Sequence, residues 1–187
     1  PTSDGGFLVA VGESDIFDEA TESIVGSLGS DNIFIADQIG DIPEDVNLAE
    51  GNDTFTGGDD GQTVRGGDGN DQIQAGFGDD NVFGDEGDDL VVGDFGDDTL
   101  TGGLGNDTLG GGPGDDQFNV LDPANGFDTI LDFEGGDDVI ALNEEFFTDA
   151  LTLATEEGNT VVSFAGEAFL QVNNVEDLSV EEDFIAV

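Results

Sequence analysis

Asp53, Asp71, Asp80, Asp89, Asp98, Asp107 and Asp116 stand nine or eighteen residues apart, each with a glycine two positions upstream and an apolar side chain two positions downstream. What such a segment offers a ligand is carboxylate and glycine-rich backbone carbonyl, all of it hard oxygen. That donor set suits Ca²⁺, in a site of about six to eight oxygens at roughly 2.3–2.6 Å, better than zinc or copper. The acids beside them at Asp79, Asp88, Asp97 and Asp115 read as solvent-facing, where they raise solubility and the local concentration of cations.

Missing residue types remove several kinds of chemistry. Without Cys there is no disulfide, thiolate or Cys-zinc site, and without His there is neither an H-E-x-x-H zinc protease nor a Ser-His-Asp triad. Acid-pair glycoside hydrolysis stays open, yet with 46 Asp and Glu no pair stands out. Arg65 is the only basic side chain, so the formal charge is −45. One arginine cannot make the basic patch that nucleic acid or an anionic membrane requires.

The elements that position the aspartates follow from a period of nine. Residues 48–119 divide without insertion into LAEGNDTFT, GGDDGQTVR, GGDGNDQIQ, AGFGDDNVF, GDEGDDLVV, GDFGDDTLT, GGLGNDTLG and GGPGDDQFN. Position eight is always apolar: Phe55, Val64, Ile73, Val82, Val91, Leu100, Leu109, Phe118. Only GGDDGQTVR departs at positions four and six, with Asp60 and Gln62. Nine is neither a helical period nor that of one long strand, so each unit must hold a turn and a short extended piece, predicted as a three-residue strand with one inward side chain. One unit cannot bury its apolar residue alone. Stacked units can, and the stack is then quasi-one-dimensional.

This array resembles the RTX family of calcium-binding nonapeptide repeats, G-G-x-G-x-D-x-U-x, and the resemblance implies an all-β chain built on a right-handed parallel β-roll (β-solenoid). It also implies that two nonapeptides form one coil and that each turn stacks on the turn eighteen residues later, with an ion between. Carbonyls of positions two and four and the Asp of one turn then face carbonyls of positions one and three and the Asp of the next. Carried onto this chain, Ala49, Gly51 and Asp53 face Gly66, Asp68 and Asp71, while Gly67, Gly69 and Asp71 face Gly84, Glu86 and Asp89. Asp85, Gly87 and Asp89 face Gly102, Leu104 and Asp107. On the other side of the roll Gly76, Gly78 and Asp80 face Gly93, Phe95 and Asp98, and Asp94, Gly96 and Asp98 face Gly111, Pro113 and Asp116. Each interior Asp would bridge two ions. Gln62 with Asp80 makes a weak pair, because the amide is neutral and Asp60 and Gly61 alter the turn. About five ions result, or a few more if Asp128 or Asp132 completes the last turn. A solenoid that needs no metal would use Asp merely as a turn former, and would take Asn or Ser at position six as readily.

Outside the array the pattern loosens. Residues 1–47 read as an N-terminal cap: a strand at Phe7 to Val11, a helical turn or acidic loop at Asp18 to Ser23, and a worn, out-of-phase repeat with Gly29, Asp31 and Ile33 at positions four, six and eight. A disordered acidic leader is the alternative. Residues 120–187 read as a C-terminal capping and secretion region. Asp128, Ile130, Asp132, Phe133, Gly136, Asp138, Ile140 and Leu142 resemble the segment that follows the repeats in many RTX proteins. TLATEEG, TVVSFAG and AFLQVNN read as antiparallel hairpins, giving an antiparallel β cap. The closing VEDLSVEEDFIAV resembles the tail that type I secretion systems recognise in serralysin-type proteins, and a short tail docked on the cap is the other reading.

The core is thin, since hydrophobic content is 36% and Phe is the only aromatic. At this charge density the metal-free chain should stay expanded until cations complete the fold. No apolar run is long enough for a membrane span. The expectation is therefore a secreted, extracellular calcium-binding roll, free or at the cell surface, that is monomeric, non-enzymatic and exported by a type I apparatus. A calcium-dependent adhesin or carbohydrate-binding module is the alternative, lowered by the lack of Trp and Tyr to stack on sugars.

Overall fold

The computed structural model describes residues 8–11, 16–18, 23–25, 29–30, 32–35, 45–122, 124–146 and 151–187. Strands in the leader are β1 (Leu8–Val11), β2 (Ile16–Asp18), β3 (Ser23–Val25) and β4 (Asn32–Ile35). The roll continues through β5 (Asp45–Asn47), β6 (Thr54–Thr56), β7 (Thr63–Asp68), β8 (Gln72–Phe77), β9 (Asn81–Glu86), β10 (Leu90–Phe95), β11 (Thr99–Leu104), β12 (Thr108–Gly110) and β13 (Gln117–Asn119). Beyond it come β14 (Asp128–Ile130), β15 (Val139–Leu142), a short 3₁₀ turn at Glu144–Phe146, β16 (Leu151–Glu156), β17 (Asn159–Phe164), β18 (Glu167–Val172) and β19 (Phe184–Ala186).

From β3 to β16 successive strands belong alternately to opposite sheets. One sheet has ten strands, in the order β1-β4-β6-β8-β10-β12-β14-β18-β17-β16, and the other nine, in the order β19-β15-β13-β11-β9-β7-β5-β3-β2. Pairing is parallel through the repeats, and the register sets the position-eight residues on top of one another. One inner ladder is Phe55, Ile73, Val91, Leu109, Ile130 and Val172. The facing ladder is Val46, Val64, Val82, Leu100, Phe118, Ile140 and Phe184. All are buried, and together they form the core of the molecule. Each contributes about 1.5–3 kcal/mol relative to an exposed position.

Within the array the expected three-residue strand is found only towards its ends, in β6, β12 and β13. From β7 to β11 the strands are six residues long and alternate buried with outward positions. The second buried position is position one of the following unit: Gly66, Ala75, Gly84, Gly93, Gly102. A residue this small lets the pleat run on inside the roll without a clash, so the turn shrinks to three residues.

Both sheets extend past residues 48 and 119. β4 pairs parallel with β6, placing Ile33 beside Phe55, and β3 pairs parallel with β5. Gly29 packs so closely against Gly51 that a Cβ on the latter would collide with it, and Ser30 Oγ accepts the Asn52 N–H at 3.2 Å. Asp31 of this worn coil lies outside the described residues, as do 19–22, where a helical turn or acidic loop is expected. At the other end β16, β17 and β18 form the expected antiparallel cap. β18 also pairs parallel with β14, which welds the cap to the roll. The tail strand β19 lies parallel to β15 and closes the second sheet, with Ile140 beside Phe184.

Candidate metal centre

Two columns of turns connect the sheets. The first contains Asp53, Asp71, Asp89 and Asp107, the second Gln62, Asp80, Asp98 and Asp116, and every one of these side chains is 1–3% exposed. The N–H of Asp53 donates to Asp71 Oδ1 at 2.7 Å, Asp71 to Asp89 at 2.8 Å and Asp89 to Asp107 at 2.9 Å. In the second column Gln62 donates to Asp80 at 2.6 Å, Asp80 to Asp98 at 2.8 Å and Asp98 to Asp116 at 2.8 Å. The turns predicted to pair are thus stacked, each carboxylate tied to the coil before it. Gln62 keeps the register despite its degenerate unit.

Only one oxygen of each carboxylate is used in this way. Oδ2 of Asp71, Asp80, Asp89, Asp98, Asp107 and Asp116 is buried with no hydrogen-bond partner. Such an atom costs several kcal/mol unless something electropositive approaches it. Glycine at position one makes the approach possible, because a Cβ at Gly66, Gly84, Gly93, Gly102 or Gly111 would run into Oδ2 of Asp71, Asp89, Asp98, Asp107 or Asp116. Position-three carbonyls bind the coils from the other side. Asp68 O accepts from Gly51 N at 2.7 Å, Glu86 O from Gly69 N at 2.7 Å, Leu104 O from Gly87 N at 2.7 Å, Phe95 O from Gly78 N at 2.8 Å and Pro113 O from Gly96 N at 3.3 Å. Each bond joins two residues that sequence places in one ligand set.

Position two needs a left-handed backbone, as Gly67 (φ 106°) and Gly76 (φ 114°) show. Ala49 (φ 79°), Asp85 (φ 74°) and Asp94 (φ 77°) adopt it without glycine's freedom. The two aspartates gain side-chain partners there: Arg65 Nη1 donates to Asp85 Oδ1 at 3.5 Å, and Gln74 Nε2 to Asp94 Oδ2 at 2.5 Å.

Burial is the main force on the titration of these groups. It lifts Asp80, Asp89 and Asp116 to about 7 and Asp71 and Asp98 to about 6, from an ordinary 3.8. The backbone N–H on Oδ1 pulls down, and neighbouring carboxylates push up again. Asp107 is raised for the same reasons. Among the described residues no three acidic side chains converge on one point, so carbonyls must complete any cation site. The donor set fits Ca²⁺ on this ground: paired buried carboxylates, one free oxygen each, set among backbone carbonyls.

Asp128 and Asp138 extend the columns. Asp107 N donates to Asp128 Oδ1 and Asp116 N to Asp138 Oδ1, each at 3.0 Å. Asp128 is lifted to about 7 and Asp138 is raised, again chiefly by burial. Of the two acids offered for the last turn, Asp128 joins the ladder and Asp132 caps the turn: its Oδ1 accepts Gly111 N at 3.0 Å and its Oδ2 accepts Gly112 N at 3.2 Å. Asp138 takes the ladder place in the second column because the segment after Asn119 lengthens the spacing, to 21 residues for Asp107 to Asp128 and 22 for Asp116 to Asp138. Asp138 was legible as a ladder residue only in the D-x-I signature shared by Asp128-Thr-Ile130 and Asp138-Val-Ile140. The acids of position five, Asp79, Asp88, Asp97 and Asp115, are exposed as expected. They form ladders running the opposite way, with Asp97 N donating to Asp79 Oδ1 at 3.1 Å and Asp115 N to Asp97 Oδ1 at 3.0 Å.

The RTX calcium-binding nonapeptide repeat (4 copies) matches residues 56–91 and 83–118. No curated protein matches the chain. Among solved structures it is similar to the AlgE6R2 subunit of the Azotobacter vinelandii mannuronan C5-epimerase, at 23% identity and a TM-score of 0.48 over 67% of this chain and 92% of that one. The AlgE6R3 subunit of the same enzyme follows at 25% identity and 0.39, over 68% and 78%. The extracellular lipase LipA of Serratia marcescens gives 14% and 0.37, over 83% of this chain and 42% of the lipase. Over residues 56–118 the chain thus carries the RTX calcium-binding nonapeptide repeat, and that array builds the parallel β-roll.

Proposed function

We propose that the roll folds when Ca²⁺ binds between its stacked turns, and that the protein is exported unfolded by a type I secretion system through its C-terminal tail. One observation carries the first part: the buried Asp71, Asp89, Asp98, Asp107 and Asp116 each keep Oδ2 without a partner beside a glycine too close to admit a Cβ. The ligands are those assigned from the sequence, from Ala49, Gly51 and Asp53 at one end to Gly111, Pro113 and Asp116 at the other, in about five sites. Asp128 and Asp138 add a sixth and a seventh, one per column. Without cations these carboxylates and the −45 charge oppose compaction. Binding free energy is then folding free energy, and extracellular modules of this kind bind at about 10⁻⁴–10⁻³ M, far above free calcium in a cytosol. The folded roll acts as a calcium-dependent structural module outside the cell and is not itself a catalyst. Among the described residues no helix is long and apolar enough to cross a membrane.

Export needs the tail in reach, and in the fold part of it is covered while Glu181, Glu182, Ala186 and Val187 stay exposed. Phe184 is 6% exposed and Asp183 7%, with Asp183 Oδ2 accepting the Ser179 N–H at 2.7 Å. A tail taken up as the last strand of a calcium-dependent sheet offers Asp183 and Phe184 to a transporter before folding rather than after it. Circular dichroism of the decalcified protein should show coil, turning cooperatively to β structure in sub-millimolar to millimolar Ca²⁺ and not in equal Mg²⁺. A full β spectrum without calcium would refute calcium-driven folding. Deleting Asp183–Val187 should abolish appearance in the medium of a strain carrying a type I exporter. Normal export of the shortened chain would remove the tail as the signal.

A further inference from the structure

The two edges of the roll differ at position three. Along the first turn column the series is Glu50, Asp68, Glu86, Leu104, and along the second it is Asp59, Phe77, Phe95, Pro113. Phe77 and Phe95 occupy adjacent strands and stack face to face, with centroids 4.8 Å apart and planes within 6°. The rings are 50% and 51% exposed. Two large apolar side chains stacked in order at an edge and left half-exposed are a feature of this surface that folding does not explain.

The chain shows what such a ring can hold. Its one guanidinium, Arg65, lies over the Phe83 ring at 4.0 Å and pairs with Asp85 at 3.5 Å, so that phenyl face and carboxylate come from a Phe-x-Asp sequence. The same spacing recurs at Phe77-x-Asp79 and Phe95-x-Asp97, with rings half-exposed and both acids exposed. Oδ1 of Asp79 and of Asp97 is fixed by the N–H of the next coil, which orders these carboxylates in a row. Here the chain supplies no cation of its own. We propose that this edge docks an arginine-bearing segment of a partner protein, its guanidinium groups lying on Phe77 and Phe95 and pairing with Asp79 and Asp97. Planar and weakly hydrated, a guanidinium satisfies ring and carboxylate together, whereas an ammonium meets mainly the charge. A partner of this sign is also favoured by the field of a chain with 46 acids and one arginine.

Net charge alone attracts any polycation, so the test must hold charge constant. The full chain, in saturating calcium, would be titrated calorimetrically with a peptide of alternating Arg and Gly and with its Lys counterpart, against wild type and the double variant Phe77→Leu, Phe95→Leu. We expect the arginine peptide to bind several-fold more tightly than the lysine one. The double variant should lose about tenfold in arginine-peptide affinity and most of the preference over lysine. Leu121→Ala, at an exposed apolar side chain outside every ligand set, should change neither. Equal binding of the two peptides, or undiminished binding by the double variant, would overturn the proposal. So would a neutral oligosaccharide that depends on both rings while the arginine peptide does not. Calcium titrations followed by circular dichroism would show whether the double variant folds as wild type; if it does not, Phe95→Leu alone carries the same comparison at about half the loss in free energy.

Discussion

The first turn column is carboxylate from Asp53 to Asp128, whereas the second opens on Gln62 before running from Asp80 to Asp138. Backbone and register are the same in both: Gln62 N reaches Asp80 Oδ1 as Asp53 N reaches Asp71 Oδ1. The stack therefore does not depend on every position-six side chain being acidic. What changes is the electrostatics. Gln62 leaves Nε2 and Oε1 both buried without a protein partner, an amide in a place shaped for a carboxylate. Positions one, four, six and eight set the coil, and position three, which they leave free, gives one edge acids and the other a pair of rings.

The largest difference between sites should come from the middle of the first column. Asp89 accepts the Asp71 N–H on Oδ1 and holds Oδ2 free, so Asp89→Ala removes a cation ligand and also orphans a buried donor, itself a loss of about 1–3 kcal/mol. Folding should then need at least tenfold more calcium. Asp89→Asn keeps an acceptor for the N–H but loses the charge. If its calcium midpoint matches wild type, the carboxylate serves the backbone alone and the ligand assignment is wrong.

Protons offer a second comparison, since they compete with cations for the same oxygens. The raised carboxylates titrate near 6 to 7 in the metal-free fold and near 3.8 in the unfolded chain. The metal-free roll therefore holds more protons than the unfolded chain across that window. Their stabilising contribution is complete below about 3.8 and is lost as pH rises through 6 to 7. Decalcified protein should accordingly gain β signal on acidification from pH 7.5 to 5, while the calcium midpoint rises as protons hold the ligands. A metal-free β signal that falls on acidification over this range would contradict the burial of these groups.

A smaller, two-signed effect is expected from Gln62→Asp, which makes the second column like the first. With calcium present it should lower the folding midpoint several-fold, because a buried carboxylate replaces an unpaired amide. In decalcified protein it should destabilise any residual roll, since a further buried charge is set beside Asp80. An unchanged calcium midpoint would mean that the first turn of this column takes no ion.

Much of this was legible in the residues and some was not, for reasons of range. Period nine marks Asp53 to Asp116 and the apolar ladder because both repeat locally. The six-residue strands hide behind Gly66, Gly84, Gly93 and Gly102, whose inward placement carries no hydrophobic signal. Asp138 escaped because its spacing from Asp116 is not eighteen. Arg65 meeting Phe83 and Asp85, and Phe77 meeting Phe95, are contacts between neighbouring coils made by positions that the repeat leaves unspecified.

The smallest effect should come from a position-five acid, and it sharpens the contrast between the inner and outer ladders. Asp115 is exposed at the end of its column; its own N–H donates to Asp97 Oδ1, a bond that survives loss of the Asp115 side chain. Asp115→Ala should therefore shift stability by no more than about 0.5 kcal/mol, the scale of an ordinary surface change. Asp97→Ala removes the acceptor for that same N–H, but the freed donor lies in an exposed turn where water can replace the carboxylate, so its cost should be only slightly greater. Both midpoints are read by the calcium titration used for Asp89→Ala. If Asp115→Ala moves the midpoint as far as Asp89→Ala does, the outer acids bind the ions that assign the fold its stability, and position six does not.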